Sequence, residues 1–101
     1  MTSERRLKTG SVMMTAGIRN FLEESEENVI KVLECLERHK MCDWGDLSDD
    51  DREVNDAAVD LDMKGKPSDR IMSAYDVGEN RIWIVTEWDR SVTTILFPEE
   101  Y

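Results

Sequence analysis

The chain has little of what most catalytic, metal-binding and secreted proteins depend on. Its 101 residues include a single histidine, His39, and two cysteines, Cys35 and Cys42. Two cysteines cannot build the disulfide framework typical of small secreted domains. No apolar run approaches the ~20 residues that span a bilayer. The basic residues near the N-terminus are not followed by the apolar stretch of a signal peptide. We therefore expect a cytoplasmic protein.

Positive charge is also scarce. The chain has 13 basic and 23 acidic side chains, which gives a formal net charge of −10. Phosphate backbones and anionic membranes are bound by basic surfaces, so we expect neither nucleic acid nor membrane as a direct partner. The excess of acids favours a basic protein partner instead.

The single histidine restricts nucleophilic and metal chemistry. Any serine or cysteine mechanism that uses an imidazole base must use His39, and the nearest thiol, Cys35, lies at the edge of an apolar helix stripe, where thiols are usually inert. A zinc site would need Cys35, His39 and Cys42, with Asp43 or Asp46 as a fourth ligand. That spacing matches no standard zinc motif. We predict no metal and no cofactor.

Calcium and nucleotide motifs fail as well. Residues 60–65 begin like an EF-hand loop, but Lys64 stands at a ligand position and Ile71 replaces the bidentate glutamate. The glycines are all isolated, so no glycine-rich phosphate loop is present. We predict neither a calcium protein nor a nucleotide enzyme.

Glu87 and Asp89 flank Trp88 and are the remaining candidates for carboxylate chemistry. A metal-dependent nuclease would need a nearby lysine and further acids, and these are missing locally. A hairpin-end network of Glu87, Asp89 and Arg90 is the favoured interpretation, with exposed ion pairs worth ~0–1 kcal/mol. We predict that the protein is not an enzyme, with a small metal-dependent enzyme as the weakest alternative.

Apolar periodicity predicts two main helices and three strands. The spacing from Ile18 to Leu36 predicts either one helix over 17–40 or a short turn followed by a helix at 26–40, and Ser25 as an N-cap favours the second. After the loop at 64–68 the period changes to two. The segments RIMSAYD, RIWIVTEW and SVTTILF then predict strands joined by short turns, and hence antiparallel neighbours. The predicted fold is α+β, with two or three helices packed on a three-stranded antiparallel meander.

The segment CDWGDLSDDDREVND contains a turn and the start of a helix. Gly45 and Asp46 are assigned to the turn and Ser48 to the N-cap of a helix over about 49–62, with three aspartates in its first turn. Its predicted buried face consists of Val54, Ala57, Ala58 and Leu61. The polar segment 1–14 lacks periodicity and is predicted to be a disordered tail, so that residues 15–101 form the single domain.

The acids concentrate in the segment 43–62, which holds nine acids and one base, Arg52. Like charges at three- and four-residue spacing cost ~0.2–0.5 kcal/mol per pair, a cost that interspersed lysines would remove. A helix of 14 residues spans ~21 Å, so its seven acids approach the ~3.4 Å phosphate spacing of one DNA strand. The stripe therefore predicts a partner-binding surface; a merely solvated face is the alternative. Its acidic candidate residues are Asp49, Asp50, Glu53, Asp56 and Asp60.

Tryptophans give a second indication of binding. In the strand 81–88, side chains alternate, so that Trp83 and Trp88 point to opposite faces. Helices cover only one face, and an indole is therefore left partly exposed unless Trp44 or the C-terminal FPEEY folds over it. Exposed indoles are common binding anchors. We assign Trp44 and Trp83 as candidate partner contacts, while half-buried core positions are the favoured alternative.

Three strings, WGDLSDDDREVND, RIMSAYD and RIWIVTEWDRSVTTILFPEEY, together resemble a family of small plasmid-related proteins. The family occurs on plasmids and integrative conjugative elements of mainly Gram-positive gut bacteria. The similarity covers about residues 28–101, and this chain departs from the pattern at residues 84–87 and in a longer 60–69 connection. The family has no established catalytic residues. The resemblance implies an acidic protein that blocks host restriction or CRISPR defence by occupying a DNA-binding groove, or else an accessory or regulatory protein of the element.

Overall fold

The structure is a computed structural model that describes residues 6–101. Its helices and strands, in chain order, are β1 (Ser11–Met14), α1 (Ala16–Glu24), α2 (Glu26–Lys40), α3 (Asp49–Met63), β2 (Ile71–Val77), β3 (Asn80–Thr86) and β4 (Val92–Leu96), with a final 3₁₀ turn at Pro98–Glu100. Within the described part of the chain, no helix combines the length and the apolar content that crossing a membrane requires.

The strands form one mixed sheet in the order β1-β4-β3-β2. Strands β2, β3 and β4 make the antiparallel meander that the sequence predicts, and β1 adds a fourth strand parallel to β4. The predicted α+β class is confirmed. The predicted three-stranded sheet lacks β1, because the four residues of β1 pair with a segment 81 residues further along the chain, and periodicity cannot reveal such a pairing.

The prediction of a disordered tail over residues 1–14 is wrong where the structure describes it. Ser11 to Met14 pair with β4, and Leu7 is buried, with its N–H bonded to the Lys40 carbonyl oxygen at 2.8 Å. Residues 1–5 lie outside the described part of the chain. The folded domain therefore includes residues 6–14.

Ser25 separates the first two helices. Its hydroxyl accepts from the Asn28 N–H at 3.1 Å, and the Asn28 side chain donates to the Phe21 carbonyl oxygen at 2.8 Å. The predicted helix at 26–40 is confirmed. The segment before it is a second helix rather than a turn, capped by Thr15, whose hydroxyl accepts from the Ile18 N–H at 3.2 Å.

The three helices cover one face of the sheet over two apolar clusters. The larger lies under α1 and α2 and includes Phe21, Leu36, Tyr75 and Ile84. The smaller lies under α3 and contains Leu7, Trp44, Ala58, Val59 and Ile71.

Helix α3 buries a different face from the one predicted. Its buried residues are Asn55, Ala58 and Val59, whereas Val54, Ala57 and Leu61 are exposed. The reason is that α3 lies beside β2, an edge strand whose outward carbonyls need donors. The Asn55 side-chain amide donates to the Met72 carbonyl oxygen at 2.8 Å, so a polar residue occupies the contact.

Candidate functional site

The loop before α3 covers the outer edge of β2. The Trp44 carbonyl oxygen accepts from the Ala74 N–H at 3.2 Å, and the Asp46 N–H donates to the Ala74 carbonyl oxygen at 2.8 Å. Gly45, between them, has φ +75°, and a Cβ there would overlap the Ala74 carbonyl oxygen. Only glycine combines this conformation with so close an approach. The loop thus fixes where α3 begins.

Trp44 is a core residue and not a binding anchor. Its side chain is only 2% exposed, and its indole N–H donates to Asp56 Oδ1 at 2.9 Å. The ring meets His39 edge-on at a centroid distance of 5.8 Å. These contacts correct the assignment of Trp44 to a partner surface. They also tie Asp56, which is half-buried, to the inside of the loop.

Arg52, the one base among the acids of α3, points away from them. Its Nε donates to the Leu47 carbonyl oxygen at 3.1 Å, and its Nη2 donates to the Gly45 carbonyl oxygen. Both acceptors belong to the loop that precedes the helix. Arg52 therefore holds this loop and does not pair with the acids beside it at the start of α3.

Three other arginines pair with acids outside the first turns of α3. Arg38 binds Asp43 at 2.7 Å, and this contact lowers the pKa of the Asp43 carboxyl group. Arg81 bonds to Asp46 and lies 3.3 Å from Asp76. Arg90, which is nearly buried, binds Asp62 near the end of α3 at 2.7 Å. Asp46 is thus held in an ion pair in the turn to which the sequence assigns it.

Four acids at the start of α3 remain exposed: Asp49, Asp50, Asp51 and Glu53. No ion pair within residues 6–101 involves any of them. Ser48 caps the helix, as predicted, by accepting from the Asp51 N–H at 3.2 Å. We call these four residues the acidic face. Asp60 is exposed two turns further along the same helix.

A shallow groove of about 380 Å³ runs beside the acidic face, between α3 and β2. Its lining combines apolar side chains with carboxylates, and it includes Leu47, Asp51, Val54, Asp69, Arg70 and Met72. Val54 is 58% exposed beside it. The groove therefore offers apolar surface beside two carboxylates and one guanidinium.

Trp83 lies on the opposite face of the sheet from the helices and is half-buried. Tyr101 packs against it edge-on at a centroid distance of 5.7 Å, so the C-terminal segment folds over this indole. The Arg70 guanidinium lies 5.2 Å from the Tyr101 ring centroid. The assignment of Trp83 as a partner contact stays a prediction. The most exposed indole is that of Trp88, at 63%.

The turn between β3 and β4 does not contain the predicted ion pair between neighbouring residues. Arg90 donates to the carboxylate of Asp62, to the Ser68 hydroxyl and to the backbone carbonyls of Asp69 and Glu87. Its carboxylate partner thus comes from α3 and not from Glu87 or Asp89, which corrects the predicted pairing. Asp89 accepts from the Ser91 N–H and hydroxyl, and these bonds lower the pKa of its carboxyl group. Both acids therefore occupy a turn.

A buried polar chain, missed by sequence reasoning, crosses the core at His39. Its Nδ1 lies 2.6 Å from the Ser73 hydroxyl and its Nε2 lies 2.8 Å from the Thr86 hydroxyl. Thr86 and Thr93 hydroxyls are 2.6 Å apart, and Thr93 donates to the Thr9 carbonyl oxygen at 2.8 Å. The members are separated by up to 84 residues, so no local motif announces them. Because the final carbonyl can only accept, each earlier hydroxyl must donate toward it, which places the ring proton on Nε2.

The resulting Ser73–His39 contact resembles a nucleophile and its base, but its setting is that of a core. Both side chains have no exposed surface, so a substrate cannot reach them. Burial lowers the pKa of His39 to about 3 and keeps the ring neutral at physiological pH. The chain satisfies buried polar groups and joins α2 to three strands.

The residues considered for metals are dispersed or engaged. Both His39 nitrogens are bonded to hydroxyls, and the buried Cys35 thiol has a raised pKa because of its burial. Asp60 and Asp62 lie on α3 rather than on a loop. Within residues 6–101, no three histidine, cysteine, aspartate or glutamate side chains converge as ion ligands.

Comparisons of the chain with protein-family models, with curated proteins and with solved structures found no match. The structure itself defines the class of the protein as α+β, with three helices on one face of a four-stranded mixed sheet.

Proposed function

We propose that the protein is a non-enzymatic, cytoplasmic interaction protein that binds a basic surface of a partner protein through its acidic face. The observation that carries the proposal is the direction of the arginines. Arg52 turns into the preceding loop, and Arg38, Arg81 and Arg90 pair with other acids. The acidic face is left exposed and without an ion pair among residues 6–101.

Glu53 is the most informative member of this face. Aspartates in the first turn of a helix interact favourably with its unpaired N–H groups and dipole, so Asp49 to Asp51 have a structural use. Glu53 lies beyond the first turn and gains little from that interaction. It stands four residues from Asp49 and three from Asp50, and each such pair costs ~0.2–0.5 kcal/mol. Binding a cation from another protein would offset that cost.

The groove beside the acidic face suits a lysine or arginine side chain. Such a side chain has an apolar stem and a charged head, and the stem packs on apolar surface while the head meets carboxylates. Val54 and Met72 offer the apolar surface. Asp51 and Asp69 offer two carboxylates against the one guanidinium of Arg70, which lies 5.2 Å from the Tyr101 ring centroid. A solvated acidic helix has no need of this combination.

The finer form of the proposal is nucleic-acid mimicry by a protein of a mobile genetic element. The four carboxylates of the acidic face present dense negative charge, as the phosphates of a DNA strand do, and a host protein that binds DNA presents a basic groove that they would fit. The similarity to plasmid-related proteins suggests a use for such a mimic, namely inhibition of host restriction or CRISPR defence.

Capture from bacterial lysate tests both forms. The immobilised protein is compared with Asp50→Lys/Glu53→Lys and with a matched control, Glu23→Lys/Glu27→Lys, which makes the same charge change in the exposed acidic cluster at the junction of α1 and α2. We expect the control to retain a salt-sensitive basic partner and the α3 variant to lose it. Added duplex DNA should displace that partner if the face mimics nucleic acid.

Two other outcomes have definite meanings. If the partner is retained by both variants, the acidic face only solvates the helix and the protein is a regulatory module that binds through another surface. If the α3 variant loses the partner but DNA does not compete, the result supports binding of a basic protein and contradicts nucleic-acid mimicry.

A further inference from the structure

One edge of the sheet is covered by other parts of the chain, and the other edge is exposed. At the β2 edge, Ala74 is bonded to the loop at Trp44 and Asp46, and the Met72 carbonyl oxygen is capped by Asn55. At the other edge, β1 has no such cover among residues 6–101. All four of its residues are exposed, and Met13 is the most exposed of its three apolar residues at 58%. One edge is closed by the chain itself and the other is open.

The register shows which groups of β1 face outward. The N–H groups of Ser11 and Thr15 donate to β4 at the Ser91 and Ile95 carbonyl oxygens, at 3.0 and 3.1 Å. Strand geometry alternates, so Val12 and Met14 direct their N–H and C=O groups away from β4. Proteins normally protect such an edge with lysine, proline, a bulge or a covering segment. Residues 11–14 contain neither lysine nor proline.

The absence of charge around β1 indicates which kind of segment would pair with its open edge. Residues 9–18, TGSVMMTAGI, carry no charged side chain, although 36% of the chain is charged. A basic partner would find no carboxylate on this strand, and an acidic partner would find no cation. The neutral, apolar, extended segment that matches β1 is β1 itself. We propose that two copies of the chain pair through β1, antiparallel across a two-fold axis, and form one eight-stranded sheet.

The register of this pair follows from the outward groups. Pairing Val12 of each copy with Met14 of the other forms four backbone hydrogen bonds, and it places Met13 opposite its symmetry mate as a non-hydrogen-bonded pair. The same pairing keeps the acidic faces apart, because α3 contacts β2 at the far edge of each sheet. Seven strand spacings of ~4.8 Å separate the two β2 strands by ~34 Å, well beyond the ~8 Å Debye length in physiological salt. Pairing through β1 therefore does not depend on what the acidic face binds.

Analytical ultracentrifugation of the full chain tests the assignment. We expect a reversible monomer–dimer equilibrium. Val12→Pro removes only an outward donor, so the fold should survive while the dissociation constant rises at least about tenfold, since each dimer loses two hydrogen bonds. A monomer at all concentrations would overturn the second copy as the occupant and leave the edge to an extended peptide of another protein. A dimer unaffected by Val12→Pro would place the interface elsewhere.

A cross-link gives a readout that does not depend on how proline is tolerated. Non-hydrogen-bonded partners have Cα atoms ~4.5 Å apart, within the range that a disulfide bridges. Met13→Cys should therefore form a covalent dimer on mild oxidation. The control Ser11→Cys should not, because residue 11 lies opposite residue 15 of the other copy in this register. Equal cross-linking of the two variants, or none by Met13→Cys, would overturn the proposed pairing.

Discussion

Arg52 donates to the carbonyl oxygen of Gly45, seven residues before it, although four exposed carboxylates surround it on α3. The contact closes the loop over the β2 edge and directs the one base of segment 43–62 away from the acidic face. The guanidinium of Arg52 cannot both neutralise the acidic face and bond to the loop. In the structure it bonds to the loop. Arg52 therefore does not neutralise the acidic face.

The loop should tolerate no side chain at Gly45. Gly45 and Gly65 have nearly equal positive φ angles, +75° and +72°, but a Cβ would overlap Ala74 at the first position and would meet nothing at the second. We expect Gly65→Ala to cost ~1–2 kcal/mol of unfolding free energy from its left-handed backbone alone. Gly45→Ala should cost clearly more. Urea unfolding of both variants measures the difference, and equal losses would contradict the close approach.

The buried chain through His39 predicts one tautomer. The Thr9 carbonyl accepts at its end, so the proton lies on Nε2 and Nδ1 accepts from Ser73. Long-range ¹H–¹⁵N spectra of the single histidine should show a protonated Nε2 and a bare Nδ1 at pH 7. Thr93→Val removes the link to Thr9 and should weaken this preference. A protonated Nδ1 in the unmodified chain would reverse the direction of the whole network.

Stability should fall as the pH drops from about 6.5 toward 3. Burial lowers the pKa of His39 in the folded state to about 3, while in the unfolded chain the pKa is near its ordinary value of 6.5. The unfolded state then binds a proton that the folded state does not, so acid favours unfolding by ~1.4 kcal/mol per pH unit in this window. Between pH 6.5 and 5 the expected loss is ~2 kcal/mol.

The matched variant for this pH effect is His39→Gln. His39 is the one histidine in the chain, and carboxyl groups with ordinary pKa values stay ionised above pH 5. Urea unfolding at pH 7 and pH 5 should therefore give nearly the same free energy for the variant, at a lower overall level. A slope that survives the substitution would mean that another group carries the proton.

Local patterns were sufficient for α2, for the extent of α3 and for the meander, but not for α1, which was predicted as a turn. Ser25 and Ser48 are N-caps in the structure as in the prediction, because capping depends on a residue and its neighbours three positions on. Strand β1 could not be found in this way, since its four residues are stabilised by β4 and not by any periodicity of their own. The polar chain through His39 was hidden for the same reason.

The buried face of α3 shows a second limit of periodicity. Apolar spacing selected Val54, Ala57 and Leu61, which are exposed. The helix instead turns Asn55 inward, because an uncovered strand edge has backbone carbonyls that need a donor. A pattern that counts only apolar residues misplaces a helix that packs against a strand edge. This rotation leaves Val54 beside the acidic face and forms the groove, so the candidate site depended on it.

The most direct test of the acidic face is its response to a defined cation-bearing probe. Amide chemical shifts of the ¹⁵N-labelled chain are followed while a ten-residue lysine peptide is added at low salt. We expect the largest changes at residues 49–53 and in the groove at Leu47 and Val54, with smaller changes at the acidic cluster of residues 23–27. Equal changes at the two clusters, or larger ones at residues 23–27, would contradict a binding surface on α3.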